Sequence, residues 1–348
     1  MWGDLDVALT HAFSVAEERG LTGRRPNLRA LTGAVRTAFG LDLIGRPPAP
    51  PATQAKIRGR LHSKQRDRNA ISHHYDTSAE FYGQILDPET MAYSCGYHSS
   101  PTQPLADAQR AKLDLVCRKL GLEAGMRVLD VGCGWGSFSL YAAEHHGVKV
   151  TGLTISAEQQ GYAAAEATRR GLSDRVDIRL QDYRDVEGEY DAVVSLEMGE
   201  HVGRSNYPTY AQVLHDHVRP GGRVLVQQMS RSGKWPGGGP FIESFIAPDM
   251  YMRPAGETAD LLQASGLEPA RRARPARALR ADRGGLAGAL REEHRRDHRV
   301  SPARSLVRVW RLYLVGGSMA FRDGRMGVDQ FLLVRPGAPH GLPWTRTW

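Results

Sequence analysis

The apolar positions along the chain change period several times, and each change marks an expected element. Over residues 1–45, Leu5, Ala8, Leu9 and Phe13 recur at helical spacing and predict short helices. The run Arg46-Pro47-Pro48-Ala49-Pro50-Pro51-Ala52 cannot continue a helix. A small helical N-terminal segment with a Pro-rich linker is therefore expected over 1–60, and a larger domain over 61–348. In that domain LADAQRAKLDLVCRKL, from about 105 to 120, carries an amphipathic helical pattern, and Met126 to Val131 is a short β-rich run entering a glycine loop. VKVTGLTIS (148–156) predicts the second strand, and SAEQQGYAAAEATRRG the helix after it, with Ser156 as N-cap and Gly171 as C-cap. RVDIRLQD, YDAVVSLE and GGRVLVQQM add three strands at βαβ spacing. The alternation predicts an α/β fold with a doubly wound, mostly parallel sheet.

Composition narrows the class. The 348 residues, 41% hydrophobic and 24% charged, are enough for one large domain, a smaller appendage and a sizeable core. No apolar stretch approaches the ~20 residues that span a bilayer, so a transmembrane protein is not expected. Cys95, Cys117 and Cys133 are too few and too scattered for a disulfide scaffold, and no Cys/His cluster has the spacing of a metal site. A cytoplasmic location without a bound metal is the expectation, and MWGDLDVALTHAF at the start has neither the basic leader nor the apolar core of an export signal. The net charge of +8 would suit an anionic partner, but residues 271–300 alone hold ten arginines against four acids. The remainder is nearly neutral, so no nucleic-acid partner is expected.

Asp130-Val131-Gly132-Cys133-Gly134-Trp135-Gly136 lies between a predicted strand and a predicted helix, where glycines let main-chain N–H groups approach a ligand. Two cofactors compete for such a loop. A dinucleotide site of the form GxGxxG needs glycine where Ser137 stands, and an acid about twenty residues after the first glycine, where the chain reads Gly152-Leu153-Thr154. Here the acid precedes the loop, and V-L-D-x-G-x-G-x-G is similar to the first motif of S-adenosylmethionine-dependent methyltransferases. That similarity implies S-adenosylmethionine as cofactor, with Asp130, Gly132 and Gly134 at its site. It also implies that Asp182 accepts from the adenine amino group and Tyr183 stacks on the ring; an acid capping the next turn is the other reading of Asp182.

Three further segments, HHYDTSAEFYGQIL (73–86), MAYSCGYHS (91–99) and LEMGEHVG (196–203), stand with TISAEQQ and WRLYLVGGSMAFRDGRMGVDQ in the order and spacing of the cyclopropane-fatty-acid synthase family. The chain resembles that family from about residue 65 to its end. The resemblance implies a seven-stranded Rossmann-like methyltransferase fold and transfer of a methyl(ene) group from S-adenosylmethionine to the cis double bond of an unsaturated phospholipid acyl chain, closing a cyclopropane ring. It implies Tyr93 and Ser94 beside the methionyl end of the cofactor, and Thr154 and Gln159 on the ribose side. For the base it implies a bound bicarbonate, held by the Cys95 backbone, Glu200 and Tyr313. Gln227 stands where many members have a histidine touching that ion, keeping an amide donor but no titratable proton. Cys95, Tyr313 and His201, the last beside Glu200, can each also be read as ordinary core side chains. Glu200, flanked by Met198 and Val202, would be costly to bury without a purpose. A substrate that lies in a bilayer implies a peripheral enzyme on the inner membrane face, with a homodimer as an open possibility.

Two departures from the family pattern carry expectations of their own. Gly199 replaces a bulkier residue, which would widen the acyl tunnel. No Phe, Trp or Tyr occurs between Tyr251 and Trp310, and 271–300 keep neither the helical nor the strand period. That stretch reads as a basic membrane-binding loop, a disordered insertion, or a segment out of frame, and its excess of Arg, Ala, Gly and Pro favours the last. Loss of the lid there would leave an inactive cofactor-binding remnant. A methylene or methyl branch is the other product that the same alkene chemistry allows.

Overall fold

The computed structural model describes residues 5–19, 28–40, 54, 59–68, 79–231, 239–273 and 302–343. Seven strands form one sheet: β1 (Arg127–Val131), β2 (Lys149–Thr154), β3 (Val176–Leu180), β4 (Tyr190–Leu196), β5 (Val218–Arg231), β6 (Glu268–Ala273) and β7 (Met326–Val334). Their order is β3-β2-β1-β4-β5-β7-β6, with β1 to β5 parallel and β7 antiparallel to both β5 and β6. This is the predicted fold.

Successive side chains of each strand point to opposite faces, and both faces of the central strands β1, β4 and β5 are largely buried. Val128, Ala192, Val194 and Leu225 pack on one side with Leu113 and Val116 of helix Leu105–Leu120, Phe138 of helix Ser137–His146 and Ala163 of helix Ala157–Arg169. Leu129, Val193, Val224 and Val226 pack on the other with Tyr207 and Leu214 of helix Gly203–His217 and Leu262 of helix Ala255–Ala264.

Local chemistry sets the boundaries. Ser156 accepts from the Gln159 N–H at 3.3 Å and starts helix Ala157–Arg169, as expected. The C-cap is Arg170, and Gly171, expected as the cap, lies one residue further with φ +68°, the left-handed position that ends the helix. Two strands were not predicted. β6 contains Pro269 and two arginines, which obscure any alternation, and the sheet tolerates the proline because β6 is an edge strand with a register shift there. The stretch expected to be anomalous continues past β6, and residues 274–301 lie outside the described residues, as do the Pro-rich linker and 73–78 of the HHYD segment. Helices Leu5–Glu18 and Leu28–Gly40 appear where short helices were expected. Among the described residues no helix is long and apolar enough to cross a membrane, and no cluster of metal-ligating side chains occurs.

Candidate active site

The strand order reverses between β1 and β4, and a cleft opens at the carboxyl ends of the strands there, the usual place for a ligand in an open α/β sheet. It has two lobes. One encloses about 980 Å³ of empty space, its open mouth included, and is lined by Thr154, Gln159, Asp182, Tyr183, Met198 and His201. The other encloses about 470 Å³ and is lined by Tyr93, Ser94, Asp130 and Trp135. Gly132, Gly134, Gln159 and Glu197 line both lobes, so they form the passage between them. Gly132 has φ +79° and a side chain there would strike Met198, whereas one on Gly134 would meet nothing within 4 Å. The loop is therefore tight against Met198, just past β4, on one side and open to the cleft on the other.

In the first lobe the Thr154 hydroxyl donates to Gln159 Oε1 at 2.8 Å. Asp182 caps the turn Tyr183–Asp185, and both its oxygens take hydrogen bonds from Arg184, at 2.8 and 2.7 Å. Burial opposes the Asp182 charge, yet these bonds hold its carboxyl below the ordinary range. The capping reading is thus realised, and Asp182 still lines the lobe. Tyr183 packs edge-on against Tyr210, with the Arg184 guanidinium 5.3 Å from its ring. Burial, helped by the nearby His62, lowers the His201 imidazole to about 4, so it is neutral at physiological pH.

In the second lobe burial raises Asp130 to about 7, against the Ser139 hydroxyl at 2.8 Å and the charge of Lys112. Lys112 donates to Ser94 Oγ at 2.8 Å, and Gln109 to the Ser94 carbonyl at 2.8 Å. Aromatic rings wall this end: Tyr82 lies 5.3 Å from Trp135 and 5.5 Å from Tyr93, and Trp310 lies 6.2 Å from Tyr93 and 5.6 Å from Tyr313. Tyr313 also packs on an apolar cluster of Cys95, Met229, Ile246, Met250, Met252, Phe321 and Val328.

One carboxylate, Glu197, lines both lobes, and a second, Glu200, is buried nearby. Glu197 Oε1 accepts from the Cys95 backbone N–H at 2.6 Å and from Gln227 Nε2 at 2.8 Å. Glu200, in the turn Gly199–His201, is fully buried; one oxygen accepts from the Met229 N–H at 3.2 Å and the other has no partner. Burial, then the charge of Glu197, pushes Glu200 up to about 8, so it carries a proton near neutrality.

A buried relay orients the Gln227 amide. Lys119 can only donate, and its ammonium reaches Gln330 Oε1 at 2.5 Å. Gln330 Nε2 must then face Gln227 Oε1, at 2.7 Å, which turns Gln227 Nε2 toward Glu197. Gln227 and Gln330 are paired residues of β5 and β7.

Comparison with known proteins decides the class. Residues 62–331 match the mycolic acid cyclopropane synthetase family. The chain belongs to this family. It is 40% identical over 304 residues to a "probable fatty acid methyltransferase" of Pseudomonas putida, an alignment covering 82% of this chain and 75% of that one. It is 42% identical over 189 residues to the cyclopropane-fatty-acyl-phospholipid synthase of Escherichia coli, covering 54% and 48%. The mycolic acid cyclopropane synthase CmaA1, solved with S-adenosylhomocysteine, superposes with a TM-score of 0.70 at 27% identity, covering 77% of this chain and 98% of that one. The protein is an S-adenosylmethionine-dependent methyltransferase. Its two-lobed cleft around an open Gly134 fits a cofactor with a nucleoside at one end and an amino acid at the other.

The structure brings Cys95 and Gln227 onto Glu197, buries Glu200 nearby and packs Tyr313 on the apolar cluster that holds Cys95, whereas His201 lines the first lobe. Gly199 does not widen a tunnel, since a side chain there would overlap Gln228, held by Tyr207 at 2.6 Å and Thr258 at 2.9 Å. Four residues escaped sequence reasoning: Glu197, Gln330, Lys112 and Lys119. The lysines had a signal, since both fall on the buried face of a predicted amphipathic helix, where a cation needs a partner. Bicarbonate does not fit as expected, because the Cys95 N–H and the Gln227 amide already donate to Glu197.

Proposed function

We propose that this enzyme methylates the cis double bond of an unsaturated phospholipid acyl chain and closes a cyclopropane ring there. The observation that carries the reading is a carboxylate, Glu197, that lines both lobes and has aromatic rings and an apolar cluster packed around that end of the cleft. When bound, S-adenosylmethionine supplies a methyl group on a cationic sulfur, an electrophile that the π electrons of an alkene can attack. Asp182, Tyr183, Thr154 and Gln159 would hold the nucleoside, and Tyr93, Ser94 and Asp130 the methionyl end. The rings of Tyr93, Trp310 and Tyr313 stabilise positive charge on the acyl chain without capturing it. Cys95, Met229, Ile246 and Met252 exclude water that would otherwise quench the cation. A carboxylate then removes a proton to give a neutral product.

The lipid reaches the site from a membrane surface. Val7, Phe13, Leu31, Val35 and Phe39 are exposed on the two N-terminal helices, which supports peripheral contact by residues 1–60 while 61–348 carry the chemistry. The test is turnover by the purified enzyme on vesicles of monounsaturated phosphatidylglycerol, with the free fatty acid in detergent as comparison. S-adenosylhomocysteine release coupled to methylated phospholipid supports the reading, and methylation of the free acid alone rejects the phospholipid.

A further inference from the structure

The carboxylate at the passage stands where the resemblance calls for a diffusible ion. Glu197 Oε1 takes the Cys95 backbone N–H and the Gln227 amide, two of the contacts that bicarbonate was expected to use. The residue is held there at a cost: its φ is +54°, the left-handed region where a non-glycine side chain is strained by about 1 kcal/mol or more. The strain turns Glu197 off the end of β4 into both lobes of the cleft. Its second donor is pre-set by the Lys119–Gln330–Gln227 relay, which lets the amide present only N–H to the carboxylate. Glu200 lies close enough for the Glu197 charge to add to the effect of burial, so Glu200 holds a proton near neutrality.

We propose that the Glu197 carboxylate is the built-in base of this enzyme and takes the place of bicarbonate. Resting on the alkene-methylation reading, the step is as follows. The acyl chain carries a cation beside its newly attached methyl group. Glu197 removes a proton from that methyl; the C–H bond breaks, and its electron pair forms the C–C bond to the cationic carbon. The product is a neutral ring, and the proton remains on Glu197 as a carboxylic acid until it leaves through the cleft.

The test measures ¹³C-bicarbonate binding by NMR, with and without turnover, on wild type, Glu197→Ala and Glu197→Gln. Wild type should bind no bicarbonate and turn over equally well in CO₂-depleted buffer. Glu197→Ala should bind bicarbonate in the vacated position, lose roughly 10²–10⁴-fold in turnover, the usual share of a general base, and recover part of it on adding bicarbonate. Glu197→Gln keeps the side chain's volume and an acceptor for the Cys95 N–H, so it should lose turnover without rescue. S-adenosylmethionine affinity by calorimetry checks that each variant is folded. Bicarbonate bound to wild type, turnover lost on CO₂ depletion, or a Glu197→Ala enzyme within threefold of wild type would each overturn the proposal. Failure of wild type to methylate any lipid would instead reject the alkene reading, and the binding comparison would still decide who occupies the position.

Discussion

Replacing Glu200 with glutamine should change the pH dependence of stability in a calculable way. In the folded protein this carboxyl is raised from its ordinary 4.5 to about 8 by burial and by the neighbouring Glu197. Below the ordinary value both folded and unfolded chains hold the proton, and the group contributes nothing. As pH rises through the window from about 4.5 to about 8, the unfolded chain releases its proton while the folded one keeps it, so stability falls progressively and the loss is complete above about 8. Each tenfold difference in proton affinity is worth about 1.4 kcal/mol, which sets an upper bound of about 5 kcal/mol for the whole window. Glutamine has the same shape and can still accept from the Met229 N–H, but it does not titrate. Its amide leaves one buried group without a partner, a pH-independent cost of about 1–3 kcal/mol. The two effects separate in urea unfolding followed by tryptophan fluorescence, since Trp135 and Trp310 are both buried. Asp130, raised to about 7, imposes its own slope on both proteins and cancels in the comparison. Between pH 5 and pH 9 the variant should gain on wild type by several kcal/mol. Parallel curves, within about 0.5 kcal/mol across that range, would refute the buried protonated Glu200.

Three other perturbations have defined outcomes. Gly199→Ala drives a methyl into Gln228 and to 3.3 Å from the Tyr207 ring, and should lower the urea midpoint by an equivalent of about 1–3 kcal/mol; an unchanged midpoint would mean that Gln228 is free to move. Ser156→Ala removes the cap of helix Ala157–Arg169 and should cost about 1 kcal/mol in the same assay, with weaker S-adenosylmethionine binding by calorimetry because Gln159 is the capped N–H. Lys119→Met removes the donor that orients Gln330, so turnover should fall about tenfold while cofactor affinity holds. Equal losses in both would show that the relay supports the whole lobe and not the Gln227 amide alone.

The parallel half of the fold was legible because a buried strand between two helix layers must be apolar on both faces, and β1, β2, β4 and β5 are. β6 was not, because an edge strand with Pro269, Arg271 and Arg272 carries its apolar requirement only in its partner β7. At the site, motif spacing pointed to Asp130 and Thr154, which line the cleft, and to Cys95 and Glu200, which lie near Glu197. Glu197 sits in the same LEMGEH motif as Glu200, but nothing in the motif marks it. Its significance comes from a backbone angle and from donors 102 and 30 residues away, neither of which a one-dimensional pattern displays. The Lys119–Gln330–Gln227 relay joins a helix to two strands through side chains of unremarkable type, so only cross-strand register brings it together. Asp182 shows the reverse case, where capping a turn and lining the cleft are compatible in one residue.

Methylation of a lipid double bond is tested most directly by expressing this chain in a bacterium that lacks its own synthase, is rich in monounsaturated phospholipids and is fed methionine with a CD₃ methyl group. The acyl chains are then analysed by mass spectrometry with fragmentation at the former double bond. A gain of one CD₂ unit at that position is the predicted result, since one deuteron must leave with the base. Acyl chains that stay unchanged, while the purified protein still binds S-adenosylmethionine by calorimetry, would contradict alkene methylation and leave the cleft as a cofactor site serving some other acceptor.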